Sequence, residues 1–142
     1  MALTGTWEDR EQIRELYARY AYTVDFYRYS EWVQCFTEDG IFVSPIFGEF
    51  KGPQGLIKFT AMYKESQGGS QVRHVMSNLT FQISADTATG GCYLTYYHCK
   101  DGKYRWRRLV ATKTSCAKSA VNGYSRAAKY ISTATRRIAS SV

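Results

Sequence analysis

The stretch Ile13-Arg14-Glu15-Leu16-Tyr17-Ala18-Arg19-Tyr20-Ala21-Tyr22-Thr23-Val24-Asp25 decides how this chain folds. Ile13, Leu16, Tyr17, Tyr20, Ala21 and Val24 recur at intervals of three and four, so a helix over residues 7–24 has one apolar face. Thr6 is placed to cap its start, and Glu8, Asp9 and Glu11 sit in or near the first turn, where the helix dipole favours them. Arg10, Arg14, Glu15 and Arg19 fall mostly on the opposite side. Asp25 follows Ala21 by four residues and Tyr17 by eight, which puts it on or beside the inward face at the helix end. A carboxylate there gains nothing from the dipole, so its position asks for another reason.

Working outward, residues 30–39 read as a second helix with Trp32, Val33 and Phe36 as its apolar contacts and Ser30 as its cap. Asp39-Gly40 breaks it, the strand Ile41-Phe42-Val43-Ser44 follows, and Pro45 marks the strand end. Residues 47–52 read as a turn and a short return strand. Pro53 starts a third helix with Leu56, Ile57, Phe59, Ala61, Met62 and Tyr63 as its apolar surface, and Gln67-Gly68-Gly69-Ser70 ends it. Strand runs then occupy residues 71–84 and 88–98, separated by Ala85-Asp86-Thr87. Alternation puts Val72, His74 and Met76 on one face and Arg73, Val75 and Ser77 on the other. Helices followed by strands packed against them give an α+β fold, and 142 residues allow one core.

Composition narrows the function. Hydrophobic residues make up 44% and aromatics 15%, with only two prolines, so the chain is globular. Its apolar runs are too short for a spanning helix, and Met1 to Asp9 lack a signal-peptide pattern, which makes a cytoplasmic protein with no membrane partner the expectation. Cys35, Cys92, Cys99 and Cys116 have no metal-ligand spacing and read as reduced, partly buried thiols. His74 and His98 are the only histidines, so no metal site is expected. No phosphate-binding or dinucleotide glycine loop is present, and no cofactor is expected.

Taken in order, Ile13 to Tyr20, Asp25, Trp32, Phe36-Thr37-Glu38-Asp39-Gly40, Phe42, Gly48, Gly52-Pro53, Arg73-His74 and Asn78 resemble the SnoaL-like branch of the NTF2-like superfamily. The likeness covers roughly residues 8–101 and rests on the ordered series rather than on one motif. It implies a cone: a curved mixed or antiparallel sheet packed against three N-terminal helices around an internal cavity. The branch contains polyketide cyclases, dehydratases, a dehydrochlorinase and proteins with no known catalysis. In its lyase-like members an Asp at the end of the first helix orients a strand His that removes a proton, and Asp25 and His74 match those positions. Some dehydratases add a first-helix Tyr, for which Tyr20 is the nearest match and Tyr22 a weaker one.

The chemistry of the pair stands beside the resemblance. Imidazole is a usable base at neutral pH, and a carboxylate on its far nitrogen fixes the tautomer and stabilises the protonated form. With no identifiable Ser or Cys nucleophile, direct proton abstraction by His74 is more economical than acyl transfer, and Tyr20 can hydrogen-bond a leaving group or oxyanion. The plainer alternatives are a satisfied core or surface His74, and an Asp25 that caps the helix or pairs with Arg73 or Arg28. Arg73 faces away from His74 and reads as structural or interfacial; Asn78 reads as satisfying a bend or bulge, with ligand binding as its alternative.

Three functions follow. The first is a small-molecule lyase or isomerase, dehydratase-like, acting on a hydrophobic, ring-containing compound. The second is a noncatalytic binder of such a ligand, and the third an interaction module. The uncovered sheet face predicts a homodimer, with a trimer as its alternative.

Residues 1–101 hold nine Lys or Arg against twelve Asp or Glu, whereas residues 102–142 hold ten basic residues and no acid. Residues 103–142 fit closing strands poorly: Leu109-Val110-Ala111 is short, and the remainder mixes Ala, Ser, Thr and basic residues without a clean period. Read one base out of phase from Lys113, with suitable codons, the segment can encode a family-like closing hairpin. We read the reading frame as having moved between Leu94 and Leu109; gene codons incompatible with the shifted reading would eliminate the idea. The competing account is a basic binding tail, but the aromatic interleaving of nucleic-acid binders is missing, so nucleic acid is not the expected partner.

Overall fold

The computed structural model describes residues 4–119 and 123–125. Helix α1 spans Trp7–Asp25, α2 Tyr29–Val33 and α3 Gly52–Ser66. Strands β1 (Ile41–Ser44) and β2 (Gly48–Lys51) form one antiparallel pair. Strands β3 (Gln71–Ser84), β4 (Thr87–Lys100), β5 (Lys103–Ser119) and β6 (Gly123–Ser125) form an antiparallel sheet in chain order. Every described pairing is antiparallel, which is one of the two forms expected for the sheet.

Helix α1 starts where Thr6 predicts. Its hydroxyl accepts from the Asp9 N–H while the Asp9 carboxylate accepts from the Thr6 N–H, a reciprocal capping box. Asp9 also pairs with Lys118 near the end of β5 at 2.7 Å, which ties the last long strand to the first helix turn. Hydrogen bonds from Lys118 and then Thr6 hold the Asp9 carboxyl below its ordinary range. Arg10 departs from its expected place on the solvent side. It is buried, with its guanidinium 4.4 Å from the centre of the Phe81 ring and bonded to the Thr4 carbonyl. A long stem and a flat cation can cover apolar surface in this way.

The second helix is shorter than residues 30–39, and its N-cap is Arg28, which makes no side-chain capping bond; Ser30 is not the cap. Trp32 and Phe36 are still buried, because a turn after Val33 keeps them on the same side. They belong to an aromatic cluster centred on Phe59 of α3, which lies 4.4 Å from Phe42, 5.4 Å from Trp32 and 5.6 Å from Tyr63 between ring centres. Trp32 and Leu56 are fully buried at its heart.

The largest correction concerns residues 103–119. They form a 17-residue strand that pairs with β4 from Lys103 to Ala117. Val110, Thr112, Thr114 and Cys116 are buried while Leu109, Ala111 and Lys113 are exposed, a strict alternation. Its inward positions are small or β-branched and partly polar, so hydropathy alone does not reveal the period. The basic segment beyond the described residues carries no structural reading here.

Two features bend the sheet. Asn78 adopts φ 53° where the β3–β4 register shifts between Ser77 and Thr80, in keeping with the bulge expected there. Gly90 and Gly91 lie side by side in β4. A Cβ on Gly90 would stand 2.3 Å from the Thr80 carbonyl oxygen, and one on Gly91 2.2 Å from that of Thr112. Both neighbouring strands approach β4 where no side chain intervenes.

Candidate active site

Asp25 is the last residue of α1, and its carboxylate reaches His74 near the start of β3 rather than capping its own helix. Its Oδ2 accepts the His74 backbone N–H at 2.8 Å, and its Oδ1 bonds the His74 ring at Nδ1. The two side chains are 6% and 5% exposed. One carboxylate therefore holds both the main chain and the ring of His74. This fixes the imidazole orientation and leaves Nε2 as its remaining nitrogen.

The helix end itself is satisfied by Arg73. Its Nη1 donates to the Asp25 carbonyl at 3.3 Å and to the Val72 carbonyl at 2.8 Å, with the guanidinium 4.7 Å from the Phe26 ring centre. This is the structural role expected of Arg73, and a cation suits a helix C-terminus. Arg28 pairs with Glu31 and not with Asp25.

His74 lines a cavity of about 430 Å³ together with Tyr20, Phe42, Phe47, Phe59 and Tyr63. A volume of that size suits a small organic ligand. Tyr20 is buried there, with its ring 5.5 Å from Trp32 and 6.0 Å from Phe36. Tyr22, its weaker alternative, is 63% exposed and stacked on Phe26 outside the cavity. The structure thus brings His74, Asp25 and Tyr20 to one place and excludes Tyr22.

Three further lining residues escaped the sequence reading. Tyr63 was assigned to the core; its ring centre is 6.2 Å from that of His74, and its hydroxyl is buried with no hydrogen-bond partner among the described residues. Burial first, then the nearby Asp25 charge, raises the Tyr63 hydroxyl far above the ordinary phenol range, so it is a donor at all working pH values. Its place follows from the inward set Leu56, Phe59, Thr60 and Tyr63 of α3. His98 and Arg107 reach the same cavity from β4 and β5. Burial, then Arg107 and His74, hold the His98 imidazole below its ordinary range.

Among the described residues no group of three or more His, Cys, Asp or Glu is arranged to hold a metal, and no helix is long and apolar enough to cross a membrane. Cys35, Cys92 and Cys116 are buried and Cys99 is partly buried, with no disulfide among the described residues.

A family model for the SnoaL-like domain matches residues 5–129. Among solved structures, the chain resembles an NTF2-like protein with a cystatin-like fold from Novosphingobium aromaticivorans, with 25% identity, a TM-score of 0.76 and coverage of 84% of this chain and 78% of that one. It also resembles a protein of unknown function from Mycobacterium tuberculosis, with 22% identity, a TM-score of 0.76 and coverage of 86% and 74%. A third likeness is to a protein of unknown function with a cystatin-like fold from Nostoc punctiforme, with 23% identity, a TM-score of 0.71 and coverage of 89% and 90%. No curated protein matches the chain.

Proposed function

The chain belongs to the SnoaL-like family, and from that premise we propose that it is a small-molecule lyase or isomerase that needs no cofactor, with His74 as its general base. The observation that carries this reading is the double hold of Asp25 on His74 at the wall of an apolar cavity. A strand His kept only for packing does not need its ring and its main chain fixed by one buried carboxylate.

For a dehydration, His74 Nε2 takes a proton from the carbon beside a ligand carbonyl, and the carbon–hydrogen electron pair forms the new double bond. The hydroxyl on the next carbon leaves with its bonding pair and takes up the same proton from the His74 imidazolium, while Tyr20 or Tyr63 hydrogen-bonds the departing oxygen; the products are an enone and water, and His74 is neutral again. Asp25, bonded to Nδ1, stabilises the imidazolium formed in between. Reprotonation of the enolate at another carbon, with no group leaving, gives an isomerisation.

The test is absorbance at enone wavelengths during incubation with cyclic β-hydroxy ketones. Turnover that disappears in His74→Ala, with unchanged circular dichroism, supports the assignment. Turnover retained in that variant overturns it.

Ligand binding without catalysis is the second reading, favoured by the Tyr63 hydroxyl and Gln67 Oε1 on the cavity wall, which have no hydrogen-bond partner among the described residues. It predicts tight binding with no chemical change. We also assign the outer sheet face to a second copy of the chain, because Val75, Tyr93, Trp106 and Leu109 are 48%, 49%, 60% and 41% exposed on adjacent strands. Light scattering that gives only monomer mass at high micromolar concentration would contradict the homodimer.

A further inference from the structure

The cavity has two unlike ends. Phe42, Phe47 and Phe59 form an apolar wall, whereas His98 and Arg107 stand where it opens: Arg107 is exposed, while Val110 on the same strand is 2% exposed. The same two residues line an adjoining depression of about 310 Å³ with Lys100, Lys103, Arg105 and Asp101. Four cations and one carboxylate thus surround the opening, and among the described residues no Asp or Glu lines the main cavity.

Arg107 is there because β5 bulges. Tyr96 pairs with Arg108 and Tyr97 with Trp106, so Arg107 has no partner on β4. Leu109 and Ala111 face outward, and unbroken alternation would send Arg107 the same way. The extra residue turns it into the cavity instead, at the cost of local ladder bonds. Arg107 takes part in none of the ion pairs among the described residues. A bulge that aims an unpaired guanidinium at an apolar cavity calls for an anion on whatever occupies it.

We propose that the ligand of this cavity is a ring-bearing carboxylate, with its ring against Phe42, Phe47 and Phe59 and its anion held by Arg107 beside His98. This deepens the reading of the cavity as a small-molecule site and rests on it. Because His98 is neutral near pH 7, it offers the carboxylate a ring hydrogen bond, and the fixed charge comes from Arg107 and the outer cations.

Calorimetric titration of the full chain with 2-naphthoate and with uncharged 2-naphthamide, at low ionic strength, tests the assignment. The acid is expected to bind about tenfold more tightly, with the preference shrinking as salt rises. Arg107→Gln should remove most of the preference, and Arg107→Lys should keep most of it. Equal binding of both probes by the unaltered protein, or a preference that survives Arg107→Glu, overturns the anion site while the cavity reading stands. Binding of neither probe overturns both. Tighter binding of 2-naphthyl phosphate than of 2-naphthoate overturns the carboxylate in favour of a phosphate ester.

Discussion

The two histidines of the chain line one cavity from neighbouring strands, yet their surroundings oppose each other. His74 on β3 has a carboxylate bonded to its ring and its main chain. His98 on β4 is partly buried and has a guanidinium and another imidazole for neighbours. The contrast teaches that the neighbour, more than the residue type, sets what an imidazole can do. A carboxylate makes proton uptake productive during a reaction; burial, and after it a nearby cation, favours the neutral ring and turns it into a hydrogen-bonding group.

The sharpest way to break this contrast is to remove the carboxylate. Asp25→Ala should reduce turnover by about 10²–10⁴-fold, because general-base catalysis by His74 loses the carboxylate that orients it. By leaving the buried His74 groups unsatisfied, it should also destabilise the fold by about 1–3 kcal/mol, read from the urea midpoint. Asp25→Asn keeps an acceptor for the His74 N–H, so it should recover most of the stability and little of the turnover. Wild-type rates in either variant would mean that the two histidines differ in name only.

A milder probe is Tyr63→Phe. It removes a buried hydroxyl that has no partner among the described residues, so the fold should be unchanged or gain up to about 1 kcal/mol. A fall in turnover without a fall in melting temperature would place Tyr63 beside His74 as a donor to the ligand.

The smallest effect concerns His98. Its imidazole should titrate below 6.5 by nuclear magnetic resonance and move back toward that value in Arg107→Ala. The folded state binds this proton less readily than the unfolded chain. Its share of stability is therefore complete above about pH 6.5 and declines as pH falls from there through the folded value. A His98 shift that ignores Arg107 would assign the effect to burial alone and weaken the contrast.

Much of this arrangement was legible in the residues. The period of α1, the Thr6 cap and the position of Asp25 are local properties, and alternation along β3 put His74 inward. What escaped depends on packing. Strand β5 hid because Thr112, Thr114 and Cys116 fill inward positions that hydropathy does not score. Trp32 and Phe36, four apart, fit a longer helix than the turn that carries them. Arg107 could not be aimed from sequence, because a bulge reverses the parity on which the reading depends. Tyr63 looked like core, and only the cavity beside it changes its meaning.

Gly90 and Gly91 have a consequence for redesign. Any side chain at either position must push β3 or β5 away from β4, since a first carbon would already meet a carbonyl oxygen at 2.3 or 2.2 Å. The spacing of these strands is thus far less negotiable than the side chains that line the hollow. Trimming Phe47 would enlarge the room for a bulkier guest, whereas one added methyl at Gly91 would strike the Thr112 carbonyl and force β4 and β5 apart.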